Sequence, residues 1–118
     1  MSDYVVASAA WMLDQQVNTR DEAGNLLPDD GAYQRRGAEK VWVFGEFMRD
    51  RGMLRDGVEV SRSREFQLRN SDLTDEGQAF TRAHFDKWVR SLDRQGVNAI
   101  VDATKLEKRL AAFRKGGG

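Results

Sequence analysis

His84 is the one side chain of this sequence whose ordinary pKa would let it exchange a proton near neutral pH. It stands among Phe80, Phe85 and Trp88, whose spacing predicts the apolar face of a helix. A histidine in this setting can be a general base, or a partly buried ring that donates one hydrogen bond to a neighbour. No acidic residue stands at a spacing that would orient the imidazole, and this favours the structural interpretation.

Two pairs of carboxylates, Asp21-Glu22 and Asp29-Asp30, raise the question of a calcium site. A loop of the EF-hand type needs oxygen ligands at alternate positions and a glycine at the sixth. Counted from Asp21, Ala23 occupies a ligand position and Leu26 occupies the glycine position. The pattern therefore predicts no calcium loop, and we expect the second pair of acids to cap the helix that follows.

Other catalytic and cofactor-binding patterns are missing from the sequence. It has no cysteine, which excludes a thiol nucleophile, a disulfide scaffold and thiolate zinc sites. A single histidine excludes a site with several histidine ligands. Neither a phosphate-binding glycine motif nor a nucleophile elbow occurs. We therefore expect a protein that is not an enzyme, with no catalytic residues, no cofactor and no metal.

The 118 residues suit one domain, spanning 1–118. The net charge of zero argues against binding nucleic acid by bulk charge, but it results from opposite charges in two parts of the chain that cancel. Residues 1–31 carry six acids and one base, whereas the rest of the chain has a basic excess made mostly of arginine. No apolar run is long enough for a membrane span, and the N-terminus lacks the basic region of a secretion signal. We expect a cytoplasmic protein without a membrane partner.

The periodicity of the sequence predicts a mainly α protein with one β-hairpin, a small α+β fold of about four helices. The hairpin is expected between the second and third helices, and each of the last two helices begins with capping residues. The first predicted elements are a helix over 3–17 capped by Ser2, an acidic loop over 18–31 and a helix over 32–51 that is ended by Gly52. Strands over 58–61 and 66–69 follow, and then a helix that is opened by Leu73, Thr74, Asp75 and Glu76. The last helix is predicted from Asp102 or Thr104 to Lys115, with Thr104 and Glu107 as a capping box, and a flexible tail covers 116–118.

The second helix carries apolar residues around most of its circumference, which indicates a central helix packed on two sides. Val43 and Phe47 lie off its main apolar stripe, four residues apart. They are either apolar anchors for a partner or part of the core beneath the hairpin. The connection between the two predicted strands places Arg62 and Arg64 at the hairpin tip. Because interface hot spots combine apolar anchors with arginine, we predict Val43, Phe47, Arg62 and Arg64 as partner-binding residues.

The segment from Gly52 to Phe80 resembles the wing and following helix of MarR-like winged-helix regulators, in which an arginine-bearing wing leads into a helix start of the form L-T-x-E-G. That resemblance, over about a quarter of the chain, implies that Arg62 and Arg64 contact DNA. A winged helix also needs two helices joined by a tight turn before the wing. Here residues 32–51 form one unbroken helix, and the side expected to face outward carries Glu39 and Glu46.

The sequence thus favours a small bacterial interaction protein of regulatory or inhibitory type that binds another protein. A toxin-neutralising immunity protein or a phage-encoded inhibitor would have this size and this lack of catalytic residues. A homodimer through the same surface is a further interpretation. The alternative is a winged-helix-like regulator that binds DNA through the arginine-tipped hairpin, which the net charge makes less favoured.

Overall fold

The structure is a computed structural model that describes residues 4–15, 23–25, 31–94 and 101–117. The predicted fold class is confirmed: the chain is mainly helical with a two-stranded antiparallel sheet, a small α+β fold. Ser2 and most of the predicted loop over 18–31 lie outside the described residues. The elements are β1 (Val5–Ser8), α1 (Ala9–Leu13), α2 (Ala32–Asp50), β2 (Gln67–Arg69), α3 (Asp75–Asp93) and α4 (Thr104–Ala112), with short helical turns at Asn70–Asp72 and Phe113–Gly117.

The N-terminal segment differs from the single helix predicted over 3–17. It begins as strand β1, and the helix starts only at Ala9. Ser8 has extended backbone angles and its hydroxyl accepts a hydrogen bond from the Trp11 N–H at 3.4 Å. Serine favours this capping position because its side chain satisfies an N–H that the first helical turn leaves free. The β-branched pair Val5 and Val6 suits the strand that precedes the cap.

The two-stranded sheet joins segments far apart in sequence. Strand β2 pairs with β1, in the register Val5 with Arg69, Ala7 with Leu68 and Ser8 with Gln67. The predicted pairing of 66–69 with 58–61 is therefore wrong, although the second strand itself is confirmed at Gln67–Arg69. Residues 58–61 form no strand because the following loop turns back on itself and packs on α2. Its contacts include the hydrogen bond from Trp42 Nε1 to the Ser63 carbonyl at 2.9 Å.

Helix α2 is the central element, as its apolar pattern predicts. Phe44 is fully buried and its ring lies 4.6 Å from Phe85 and 5.9 Å from Trp88 on α3. Gly45 lets the loop after α2 approach closely, since a Cβ built there would lie 2.8 Å from the Phe66 ring. A side chain at this position would push Phe66, and with it the start of β2, away from α2. The core therefore ties the sheet to both long helices.

Local capping signals explain the ends of the long helices. Helix α2 ends at Gly52, whose φ of 72° allows the Met53 N–H to bond back to the Met48 carbonyl at 2.9 Å. Helix α3 begins after Thr74, whose hydroxyl accepts from the Gly77 N–H at 3.1 Å, as predicted. Helix α4 starts differently from its prediction. Thr104 is its first residue and makes no capping box, because the Asp102 carboxylate accepts from the Thr104 N–H instead.

Candidate interaction site

Arg62 lies in the loop before β2, against the solvent side of α2. Its guanidinium donates two hydrogen bonds to the Glu46 carboxylate, at 3.0 and 2.8 Å. The hydrogen bond from Arg62 lowers the pKa of Glu46, and the same bond raises the pKa of Arg62. Both side chains retain solvent exposure, so we assign the pair a stabilisation of no more than about 1 kcal/mol. Arg62 is thus held in a fixed position along α2.

Three of the four predicted partner-binding residues line one cleft of about 330 Å³ between α2 and the segment that leads into α4. Val43, Phe47 and Arg62 contribute to it together with Val101 and Glu107. Val43 and Phe47, however, belong to the hydrophobic core and are only 8% and 4% exposed. The cleft therefore has a charged rim and a floor that offers a partner little apolar area.

Arg64, the fourth predicted residue, lies at a different surface. Its guanidinium contacts both oxygens of Asp14, at 2.5 and 2.6 Å, and so joins the loop before β2 to the end of α1. The hydrogen bond that Arg64 donates to Asp14 is the largest cause of the raised pKa of Arg64. Asp14 is the residue that ends α1, and it follows Trp11 by three residues, a spacing at which helical side chains are neighbours. From this spacing we infer that the pair of Arg64 and Asp14 lies on the same side of α1 as Trp11.

Trp11 is the largest apolar side chain that the described residues leave in solvent. It is 58% exposed, and Tyr4, at the other end of β1, is 48% exposed. The sequence interpretation named neither residue as a binding residue. A signal was available for Trp11, because in any helix it stands about 100° around from Met12, the residue that packs on α2. We refer to Trp11, Asp14 and Arg64 as the Trp11 surface.

The exposed areas show which site offers more to a protein partner. A large aromatic side chain carries about 150–250 Å². The exposed fraction of Trp11 therefore leaves about 90–145 Å², which contributes up to about 2–4 kcal/mol when a partner removes it from water. The same arithmetic gives Phe47 about 0.2 kcal/mol, since nearly all of its surface is already buried. Of the two surfaces, the Trp11 surface therefore offers more apolar area for contact than the cleft beside Phe47.

His84 lies inside the core. It is 8% exposed, and its ring packs at 5.1 Å from Phe80 and 6.0 Å from Phe113. Burial lowers its pKa, and the positive charges of Arg109 and Lys87 lower it further. Neither ring nitrogen has a hydrogen-bond partner in the part of the chain that the structure describes. Within the described residues, no acidic side chain therefore orients the ring through a hydrogen bond, the arrangement usual for a catalytic base.

Among residues 4–15, 23–25, 31–94 and 101–117, no group of three or more acidic or histidine side chains is arranged to hold a metal ion. Within the same ranges, no helix combines the length and the apolar character needed to cross a membrane. The chain has no match among protein-family models, curated proteins or solved structures.

Proposed function

We propose that this chain acts by binding a partner protein through the Trp11 surface, without catalysing a reaction. The observation that carries the proposal is the 58% exposure of Trp11 beside the ion pair of Arg64 and Asp14. Tryptophan and arginine are the residues most enriched among interface hot spots, and a central aromatic with charged neighbours is the usual arrangement. We expect the partner to offer an apolar pocket for the indole, surrounded by a polar rim.

The ion pair adds to this surface because it limits the rearrangement that binding requires. Arg64 and Asp14 neutralise each other's charge and hold the loop before β2 against α1. A partner therefore meets a tryptophan whose neighbours are already positioned, and it loses less entropy in ordering them. Arg62, in contrast, is engaged by Glu46 at the cleft, where the apolar floor is buried. In this proposal Arg62, Val43 and Phe47 stabilise the fold that presents the Trp11 surface.

The biological class that we propose is a cytoplasmic bacterial regulator or inhibitor, such as an immunity protein or a phage-encoded inhibitor. Proteins of this class act by occupying a surface of their target, so they need a hot spot and no catalytic residues. The winged-helix alternative gains no support from the loop before β2. DNA phosphates would have to displace Glu46 from Arg62 and Asp14 from Arg64, and residues 58–61 form no wing strand.

Trp11→Ala should raise the dissociation constant of the partner complex about 10- to 100-fold, because it removes up to about 2–3 kcal/mol of contact energy. The partner is first identified in cells with a photo-crosslinking amino acid at the exposed position of Gln15, four residues after Trp11, and by comparison with the same amino acid at the exposed position of Arg82 on α3. Affinity is then measured by titration calorimetry with both proteins purified. Circular dichroism should show an unchanged melting temperature, since Trp11 is largely exposed.

Arg82→Ala is the matched control, because it truncates another exposed side chain, on α3, and it should leave affinity unchanged. Equal affinity for the wild-type chain and Trp11→Ala would refute the proposal. If the chain crosslinks to itself through position 15 and forms a dimer in light scattering that Trp11→Ala dissociates, the partner is a second copy of this chain.

A further inference from the structure

Some cations of the described residues pair with carboxylates and others do not. Arginine side chains at positions 49, 51, 55, 62, 64 and 114 are among those in ion pairs. Within the described ranges, Lys87, Lys105, Lys108 and Arg109 have no carboxylate within ion-pair distance. These four residues, called the basic surface below, belong to α3 and α4.

Helix α4 carries three of the four cations on one face. Lys105, Lys108 and Arg109 follow the spacing of three and four residues that aligns side chains along a helix. The opposite face is buried through Leu106 and Leu110. The three cations therefore lie on the side of α4 that the core does not use, and both lysines are exposed.

Lys87 on α3 is an exposed cation. Phe113, directly after α4, packs against α3 at 5.6 Å from Phe80 and 6.0 Å from His84. The positive charges of Arg109 from α4 and Lys87 from α3 both act on the same buried ring of His84, so we group Lys87 with the three cations of α4.

Among the described residues, the carboxylates on these helices do not pair with the four cations. Glu107 is engaged by Arg51, and Asp102 accepts from the first N–H of α4. Asp86 is next to Lys87 in sequence but lies about 100° around α3 from it. The net charge of zero therefore coexists with three cations on one face of α4 and Lys87 on α3, none of them in an ion pair with a described carboxylate.

The composition of the basic surface selects its ligand. Protein interfaces are depleted of lysine and need an apolar centre, and the outward face of α4 offers no large apolar side chain. Membrane-surface helices insert an apolar face, whereas Leu106 and Leu110 of α4 are buried in the core. Clustered lysines without an apolar centre match a repeating array of phosphates. We propose that the basic surface binds the phosphate backbone of nucleic acid without reading base sequence.

The test measures fluorescence anisotropy of a labelled mixed-sequence DNA duplex of about 24 base pairs at several salt concentrations. We expect dissociation constants of about 1–100 µM at low salt, and a slope of log K against log salt of about −3.6 for four phosphate contacts. The variant K87Q/K105Q/K108Q should bind more weakly, and its slope of log K against log salt should be shallower by about 2.7. Its circular dichroism should match the wild type, because the three lysines are exposed.

The matched control is R49Q/R55Q/R114Q, which removes the same number of positive charges from ion pairs elsewhere and should keep the wild-type slope. No binding at about 100 µM protein in low salt would overturn the proposal. So would an equal loss in both triple variants, which would mean that total charge alone drives binding. Loss of binding in R62Q/R64Q but not in the lysine variant would mean that the loop before β2 contacts the DNA. Binding to phosphatidylserine vesicles without binding to the duplex would mean that the ligand of the basic surface is an anionic membrane.

Discussion

Replacing His84 with phenylalanine should make this protein more stable. Both imidazole nitrogens are buried without a hydrogen-bond partner among the described residues, and at the low end of the usual cost the two together destabilise the fold by about 2–3 kcal/mol. Phenylalanine keeps the ring contacts with Phe80 and Phe113 and removes the polar atoms. The larger ring costs about 1 kcal/mol in crowding. We expect a net gain of about 1–2 kcal/mol at pH 7, or a melting temperature higher by about 3–8 °C.

The same substitution should remove a source of acid sensitivity. Burial, Arg109 and Lys87 lower the pKa of His84 in the folded chain, whereas the unfolded chain has a pKa of about 6.5. Below about pH 6.5 the unfolded state therefore binds more protons than the folded state, and the free energy of unfolding falls as the pH falls. His84→Phe lacks this titration, so its advantage over the wild type should grow between pH 7 and pH 5.

Urea denaturation followed by tryptophan fluorescence at pH 7, 6 and 5 measures both effects, and His84→Gln serves as the control that keeps a polar side chain. Loss of more than about 1 kcal/mol in His84→Phe at pH 7 would refute the reasoning, because it would mean that the imidazole makes a stabilising polar contact. A difference between wild type and variant that stays constant with pH would contradict the lowered pKa.

Two further predictions concern packing and charge. Gly77→Ala should destabilise the fold by about 1–2 kcal/mol in chemical denaturation, because the new Cβ would lie 2.6 Å from the Met53 carbonyl oxygen. This clash outweighs the better helix propensity of alanine. An unchanged denaturation midpoint would disprove the close contact. Glu46→Gln should lower stability at pH 7 by less than about 1 kcal/mol, and the loss should disappear in acid once the wild-type carboxylate takes up its proton, since the bond from Arg62 lowers the pKa of Glu46 and stabilises the charged form. Thermal melts at pH 7 and about pH 2.5 check the second prediction, and equal losses at both would rule out the ion pair as the cause.

The long helices could be predicted from sequence because their signals are local. Thr74 caps α3 three residues before the N–H that it accepts from, and Gly52 ends α2 within the same turn. The pairing of β1 with β2 has no such signal. Residues 66–69 have the alternation of a strand, but alternation does not identify the partner, and the nearest alternating segment over 58–61 is not the one used.

Only part of the candidate site could be predicted from the sequence, and the reason is similar. Arg62 and Arg64 stand two residues apart in sequence, yet one pairs with Glu46 on α2 and the other with Asp14 after α1. The exposure of Trp11 depends on how α1 packs. Met12 fits the space left by Gly37, where a Cβ would lie 2.9 Å from the Met12 Cβ, and this turns the preceding tryptophan outward. Such close approach between segments is set by tertiary packing.

The distant pairing of β1 with β2 also has a consequence for the order of folding. Closing a loop of about sixty residues costs about 3–4 kcal/mol of chain entropy, which the local turns of α2 do not incur. We therefore expect the sheet to form after α2 has begun to pack. On the ribosome, Val5–Ser8 is made about 3–12 s before Gln67–Arg69 at ordinary elongation rates. During that interval the strand has no partner, so its backbone N–H and C=O groups stay outside any sheet until β2 has been made.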